Sequence, residues 1–402
     1  MKKVLFALVT IAAATTLVRA QNTATIFEGG RVIVGDGRVI DNASVVVEGT
    51  RITQVGANIK APAGATRVNL AGKTLMPAIV DAHVHTSTTA AELDTDLRRR
   101  AYYGVSAALS LGLDSTDAIF DQRAKAVPGM ARIFTAGRGI PAPEKGRPEV
   151  PYWITSEAEG RKAAQELAAK KVDIIKIWVD DRDGKFPKLT PALYTAVIDE
   201  AHKHQLRVTA HIFSLEDAKG LLKAGIDSFA HGVRDRDLDD EIVGLLKARP
   251  NFVLIPNMPD RGVVADYSWL RGSIPDGELQ KIQAAATDRP LVAATWGIQG
   301  RNLRKMAEAG VKIAVGTDGN TPWAPHAEMA DMVAAGMTPA QVIVSATKNG
   351  AEFLRMTDTG TIEAGKTADL LVLDANPLTD ITNTRKLSAV YLRGVAVDRK
   401  PQ

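Results

Sequence analysis

The chain has 402 residues, more than one average domain and enough for a barrel with a small partner. Hydrophobic residues make up 45%, which allows a sizeable core, and the lack of cysteine excludes disulfides and thiolate metal sites. The formal charge of +4 belongs mostly to the first twenty residues: without Lys2, Lys3 and Arg19, 47 bases face 46 acids, and no basic stripe with interleaved aromatics supports a nucleic-acid partner.

Lys2 and Lys3 precede an apolar, threonine-interrupted run over 4–18, and Val18-Arg19-Ala20 has the form of a small-residue cleavage site. This pattern predicts a signal peptide at 1–20 rather than a membrane span. The mature protein is then exported, periplasmic or secreted, with no membrane attachment after cleavage.

Residues 21–77 predict short strands at 25–27, 31–34, 44–48, 51–55 and 66–69, with a hairpin-type turn at Asp36-Gly37. The same β-rich texture returns at 369–373 and 389–397, so a small β-sandwich domain built from both chain ends, 21–77 and 358–402, is expected. Between them, 78–357 alternates strand and helix. Strands are predicted near 78–84, 105–111, 131–136, 172–179, 206–211, 226–231, 251–256 and 311–317. Eight such units imply an α/β fold, a closed (β/α)8 TIM barrel. Thr190-Pro191, Thr338-Pro339 and Ser214 mark helix starts, with capping boxes at 338–341 and 214–217.

The chemistry gathers at the strand ends, where a barrel of this kind carries its active site. His83 and His85 lie two apart, so on a strand both rings reach one side and one metal ion. Lys176 sits inside an apolar strand with Ile174 and Trp178 on its face. A buried lysine must pair, for instance with Asp81, or lose its charge. Reacted with carbon dioxide it becomes a carbamate, an anion able to bridge two cations. His211 and His231 end consecutive strands as neutral nitrogen ligands suited to zinc. Asp318, ending the last strand, can bind an ion and handle a proton. His202 and His204 fall on a polar helix end, where a solvated role is expected.

Two long connections, 141–151 with its prolines and the roughly sixty residues between strands seven and eight, are candidate lids or substrate walls. Tyr152, Trp153, Asn257, Met258, Arg261, Trp323 and His326 are the expected substrate contacts.

These motifs resemble the amidohydrolase superfamily, close to its imidazolonepropionase-like and prolidase-like (Xaa-Pro dipeptidase-related) branch. The segments 75–85 and 360–374 resemble the family's first barrel strand and its return into the small β domain, and the likeness runs from about 24 to 398. Ala230, where relatives often carry Glu, and the absence of a second histidine after His211 are departures in the substrate subgroup. The resemblance implies that His83 and His85 bind the more buried of two divalent ions, His211 and His231 the outer one. Carboxylated Lys176 and a hydroxide bridge them, while Asp318 binds the buried ion and shuttles a proton. Hydrolysis of an amide-type C–N bond in a dipeptide, N-acyl amino acid or small amide follows, with Asp318, Lys176 and His231 as catalytic residues. A lactone or ester hydrolase with the same centre and a non-catalytic binding protein are the competing readings. The partner is a small molecule, and homo-oligomerisation is left open.

Overall fold

Valine-rich alternation at both chain ends builds one mixed sheet. The computed structural model describes residues 24–125, 127–146 and 151–400; the signal peptide expected at 1–20 lies outside the described residues, as does 147–150 of the proline-rich connection. The N-terminal strands are β1 (Thr25–Ile33), β2 (Val39–Glu48), β3 (Arg51–Ala57), β4 (Thr66–Asn69) and β5 (Thr74–Pro77). The expected turn at Asp36-Gly37 joins β1 to β2, with Gly37 at φ +98°.

Eight parallel strands follow. They are β6 (Ile79–Val84), β7 (Val105–Ser110), β8 (Arg132–Thr135), β9 (Ile175–Val179), β10 (Val208–Ile212), β11 (Ser228–Ala230), β12 (Val253–Ile255) and β13 (Lys312–Ile313). The chain closes on β14 (Leu370–Leu373), β15 (Leu387–Leu392) and β16 (Val395–Ala396). These last strands enter the first sheet, whose order is β16-β15-β14-β5-β1-β2-β3, with β4 parallel to β1. The antiparallel pair Leu371 and Met76 ties the two chain ends together. One face packs Phe27, Val45, Ile52, Leu75, Leu370 and Val372 into a common core.

The parallel strands form a three-stranded sheet, β6-β7-β8, and a five-stranded sheet, β13-β12-β11-β10-β9. Their edges meet in single bridges. On one side Ile140 N donates to Lys176 O at 2.8 Å and Trp178 N to Ile140 O at 3.2 Å. On the other, Ala82 N donates to Val315 O at 2.8 Å and Val84 bridges Gly319. β13 is shorter than the extended run expected over 311–317. Beyond Ile313 its backbone leaves the regular ladder: Val315 N donates to Ser345 O at 3.2 Å and Thr317 N to His83 O at 2.9 Å.

The helix starts lie where the capping residues place them. Thr190 caps Pro191–Lys203, Ser214 caps Leu215–Ala224, and Thr338 with Gln341 forms a full capping box on Pro339–Val344. The long connection after β12 is itself structured, holding a 3-10 turn, Ser268–Leu270, and helices Asp276–Ala285 and Pro290–Glu308. Among the described residues no helix is long and apolar enough to cross a membrane.

Candidate metal centre

Four imidazoles form a continuous chain at the carboxyl-terminal ends of the parallel strands. His83 lies in β6 and His85 one residue beyond it, His211 lies in β10, and His231 directly follows β11. Ring centroids are 5.2 Å apart for His83 and His85, 5.4 Å for His83 and His231, and 4.6 Å for His211 and His231. The strand period explains the first pair, since residues two apart share a side.

Asp318 closes over them. Its Oδ1 is 3.0 Å from both His83 Nε2 and His85 Nε2, and its Oδ2 is 3.4 Å from His231 Nε2. Three residues here hold left-handed backbones without being glycine: His231 at φ +92°, Asn257 at +44° and Asp318 at +53°. Each such conformation costs on the order of 1–3 kcal/mol and persists where surrounding packing over-determines it. Gly316 is part of that packing: a Cβ there would meet Ile255 and come within 2.9 Å of His83 Cβ.

Burial sets the protonation states. It pushes His83 down to about 4 and His211 down to about 3, with the Lys176 charge working in the same direction at both. His231 is held well below its ordinary range by burial and by neighbouring His211. These rings are neutral at pH 7, each with one N–H and one lone pair. His83 Nδ1 lies 2.9 Å from Asn257 Oδ1, so the N–H points there and the Nε2 lone pair faces Asp318. Burial would raise the Asp318 carboxyl, but its contacts with His83, His85 and His231 outweigh that and keep it ionised. A lone pair and a carboxylate oxygen at 3.0 Å repel unless a cation or proton sits between them. Nitrogen and oxygen donors in this arrangement suit zinc or a similar divalent ion. Donor atoms of His83, His231 and Asp318 lie within 4.8 Å of one another and could hold one.

Lys176 is buried in β9, with Nζ 5.5 Å from the Trp178 ring. Its charge disfavours protonation of both His83 and His211. Asp81 is engaged elsewhere, 3.4 Å from Arg100 and accepting from Thr317 Oγ1 at 2.8 Å. Over His85, His211, His231 and Asp318 opens a cavity of about 690 Å³ with apolar walls at Leu113, Trp178 and Phe213 and cations at Arg182, Lys185 and Arg234.

Residues 74–397 match the model of the Amidohydrolase family. The chain belongs to that family. It is 26% identical over 366 residues to an imidazolonepropionase of Streptomyces griseus, spanning 84% of this chain and 87% of that one. In structure it is similar to a candidate prolidase from Bifidobacterium longum, with 28% identity, a TM-score of 0.78 and coverage of 95% and 96%. It is also similar to a Xaa-Pro dipeptidase carrying methionine in its active site, with 25% identity, a TM-score of 0.75 and coverage of 94% and 100%. The protein is thus a hydrolase of a family that acts on C–N bonds and typically uses metal ions.

In this amidohydrolase the expected wall residues do not share one place. Asn257 touches His83. Tyr152 lies under the Arg138 guanidinium, 4.1 Å from ring centroid to Cζ, and Trp153 is exposed. Met258 N donates to the buried Glu328. Arg261 stands 3.7 Å from Asp331, and Trp323 packs against Tyr267 and Trp269. His326 is buried between Tyr103 O at 2.9 Å and Thr384 Oγ1 at 3.1 Å. None of the last six lines the cavity over the histidines. His202 and His204 lie on the surface, His202 at 2.9 Å from Asp227.

Sequence reasoning missed two residues. Asp180 Oδ2 lies 3.0 Å from His211 Nε2 and is itself clasped by Arg182, which donates at 2.8 Å. Gln299 donates to Pro256 O at 2.6 Å and so supports the strand end that carries Asn257. Asp180 was findable, since alternation along β9 puts it on the side of Lys176 and Trp178. Gln299 carries no such signal, because it comes from a helix more than forty positions away.

Proposed function

We propose that this amidohydrolase cleaves an amide-type C–N bond in a small molecule such as a dipeptide or N-acyl amino acid, using two divalent ions. The facing of the His83 and His85 nitrogens on Asp318 Oδ1 carries the reading, because it calls for a cation. His83, His85 and Asp318 would hold one ion, His211 and His231 the other, with Lys176 as a carbamate between them. Bound there, the ions would lower the pKa of water towards neutrality and polarise the scissile carbonyl. Asp318 would accept a proton at its carboxylate and deliver it to the departing nitrogen, which leaves poorly unless protonated. Arg182, Lys185 and Arg234 would draw in a substrate that bears a carboxylate.

The bridges at both seams of the parallel sheets support their reading as one (β/α)8 barrel over 78–357. Residues 21–77 and 358–402 would then form the small β-sandwich domain. Export with removal of 1–20 predicts a mature protein beginning at Gln21, and intact Met1 on mass spectrometry of the exported protein would contradict it.

The test is a turnover screen of zinc-loaded protein on dipeptides, N-acyl amino acids and their matched esters. Amide turnover is expected, and Asp318→Asn should retain metal while losing on the order of 10²–10⁴ in rate. Near-normal turnover in that variant rules out the proton role, and esters cleaved without amides would make the protein an esterase.

A further inference from the structure

A second cavity, of about 680 Å³, lies among the connection after β12, the helix Ala324–Ala334 and the 3-10 turn Ile381–Arg385. No residue lining it also lines the cavity over the histidines. Its volume is that of an ordinary small-molecule site.

The lining is rich in donors. Arg289 is paired with Asp260 at 2.6 Å, and Arg261 approaches Asp331 at 3.7 Å. Arg385 differs from both. Among the described residues it makes no hydrogen bond or ion pair, and its guanidinium lies 4.8 Å over the Trp269 ring. Stacking occupies the face of a guanidinium and leaves its edge, which carries the N–H donors, free for a planar anion. Trp269 adds a buried indole N–H that also lacks an acceptor. Leaving buried donors unmade is costly, so this wall favours a ligand that brings acceptors.

The remaining surface limits the ligand's form. The rings of Tyr267 and Trp269 and the small side chains of Ala327 and Ala330 offer apolar contact. Asp260 and Asp266 at the cavity disfavour a doubly charged anion such as phosphate. Asp331 opposes an anion less, since burial pushes its carboxyl up to about 7.

We propose that this cavity is a second ligand site, for a small organic monocarboxylate with an aromatic or branched apolar body. The carboxylate lies on the edge of Arg385 with the Trp269 N–H in reach, and the body lies against the aromatic wall. The site stands apart from the metal centre and does not depend on the reaction proposed there.

Calorimetric titration of benzoate into the full chain as purified tests this, with inorganic phosphate as the comparison. Benzoate is expected to bind with a Kd of about 1 mM or tighter. Arg385→Gln should weaken it at least about tenfold. Ala330→Phe, which fills the cavity and keeps every charge, should do the same and decides alone if Arg385→Gln fails to fold. His231→Ala at the metal centre should leave benzoate binding unchanged. No binding, equal binding of phosphate, unchanged affinity in Ala330→Phe, or loss of binding in His231→Ala would each overturn the proposal.

Discussion

Asn257 determines which nitrogen of His83 is free. Its Oδ1 accepts from His83 Nδ1–H at 2.9 Å, leaving Nε2 for the side on which Asp318 lies. Such outer contacts orient a ligand ring and raise its basicity, and losing one typically costs 10–100-fold in metal affinity. Asn257→Ala should therefore weaken zinc binding by about that factor, while Asn257→Asp, which keeps an acceptor, should restore most of it. Zinc titration against a chelating indicator measures both, and equal affinities in all three proteins would refute the orienting role. The clustering of His83, His85, His211, His231 and Asp318 and the burial of Lys176 were legible in the sequence because residue type and strand period are both local. The partners of Asn257 and His326 were not. His326 follows the last barrel strand, where a substrate contact is expected, yet its ring fills a buried gap between Tyr103 and Thr384. That gap is made by segments more than fifty positions away, and periodicity carries no record of them.

At the scale of elements, the site depends on how the ends of β6, β12 and β13 crowd together. Gly316 allows the backbone after β13 to lie against Ile255, His83 and Asn257. A methyl group there must displace a ligand strand or its neighbour, and overpacking of this kind costs about 1–3 kcal/mol. Gly316→Ala should lower the midpoint of denaturant unfolding accordingly; an unchanged midpoint would show that the contact yields easily. Helix starts were legible to the residue at Thr190, Ser214 and Thr338, because a cap is decided within four positions. Strand ends were less so. Residues 314–317 have the composition of a strand, but after Ala314 N donates to Leu254 O the next donors turn to Ser345 and His83 instead of continuing the ladder.

The whole molecule carries a stability cost in the layer between the connection after β12 and the C-terminal segment. Burial raises the Asp331 carboxyl from 3.8 to about 7 against the pull of Arg261 and Arg385. The native state thus keeps this proton when the unfolded chain has lost it. The contribution of Asp331 to stability should fall as pH rises from about 4 to about 7, opposite in sign to that of the buried histidines, and its loss should be complete above that. Asp331→Asn removes the titration, so its Tm relative to wild type should be higher at pH 8 than at pH 5; a pH-independent difference would contradict the account. The alternation of strand and helix and the return of β texture at both ends made the α/β architecture legible. The contacts of the long connection with the C-terminal turn were not, since its helix Asp276–Ala285 buries no residue and bears a weak pattern.

In the proposed function the four histidines, Asp318 and carboxylated Lys176 together hold two ions. Metal content after loading with zinc and bicarbonate tests it most directly, in wild type beside Lys176→Met. About two equivalents are expected in the wild type and about one in the variant, which would lack the bridging anion. Equal zinc content in the two proteins would contradict it.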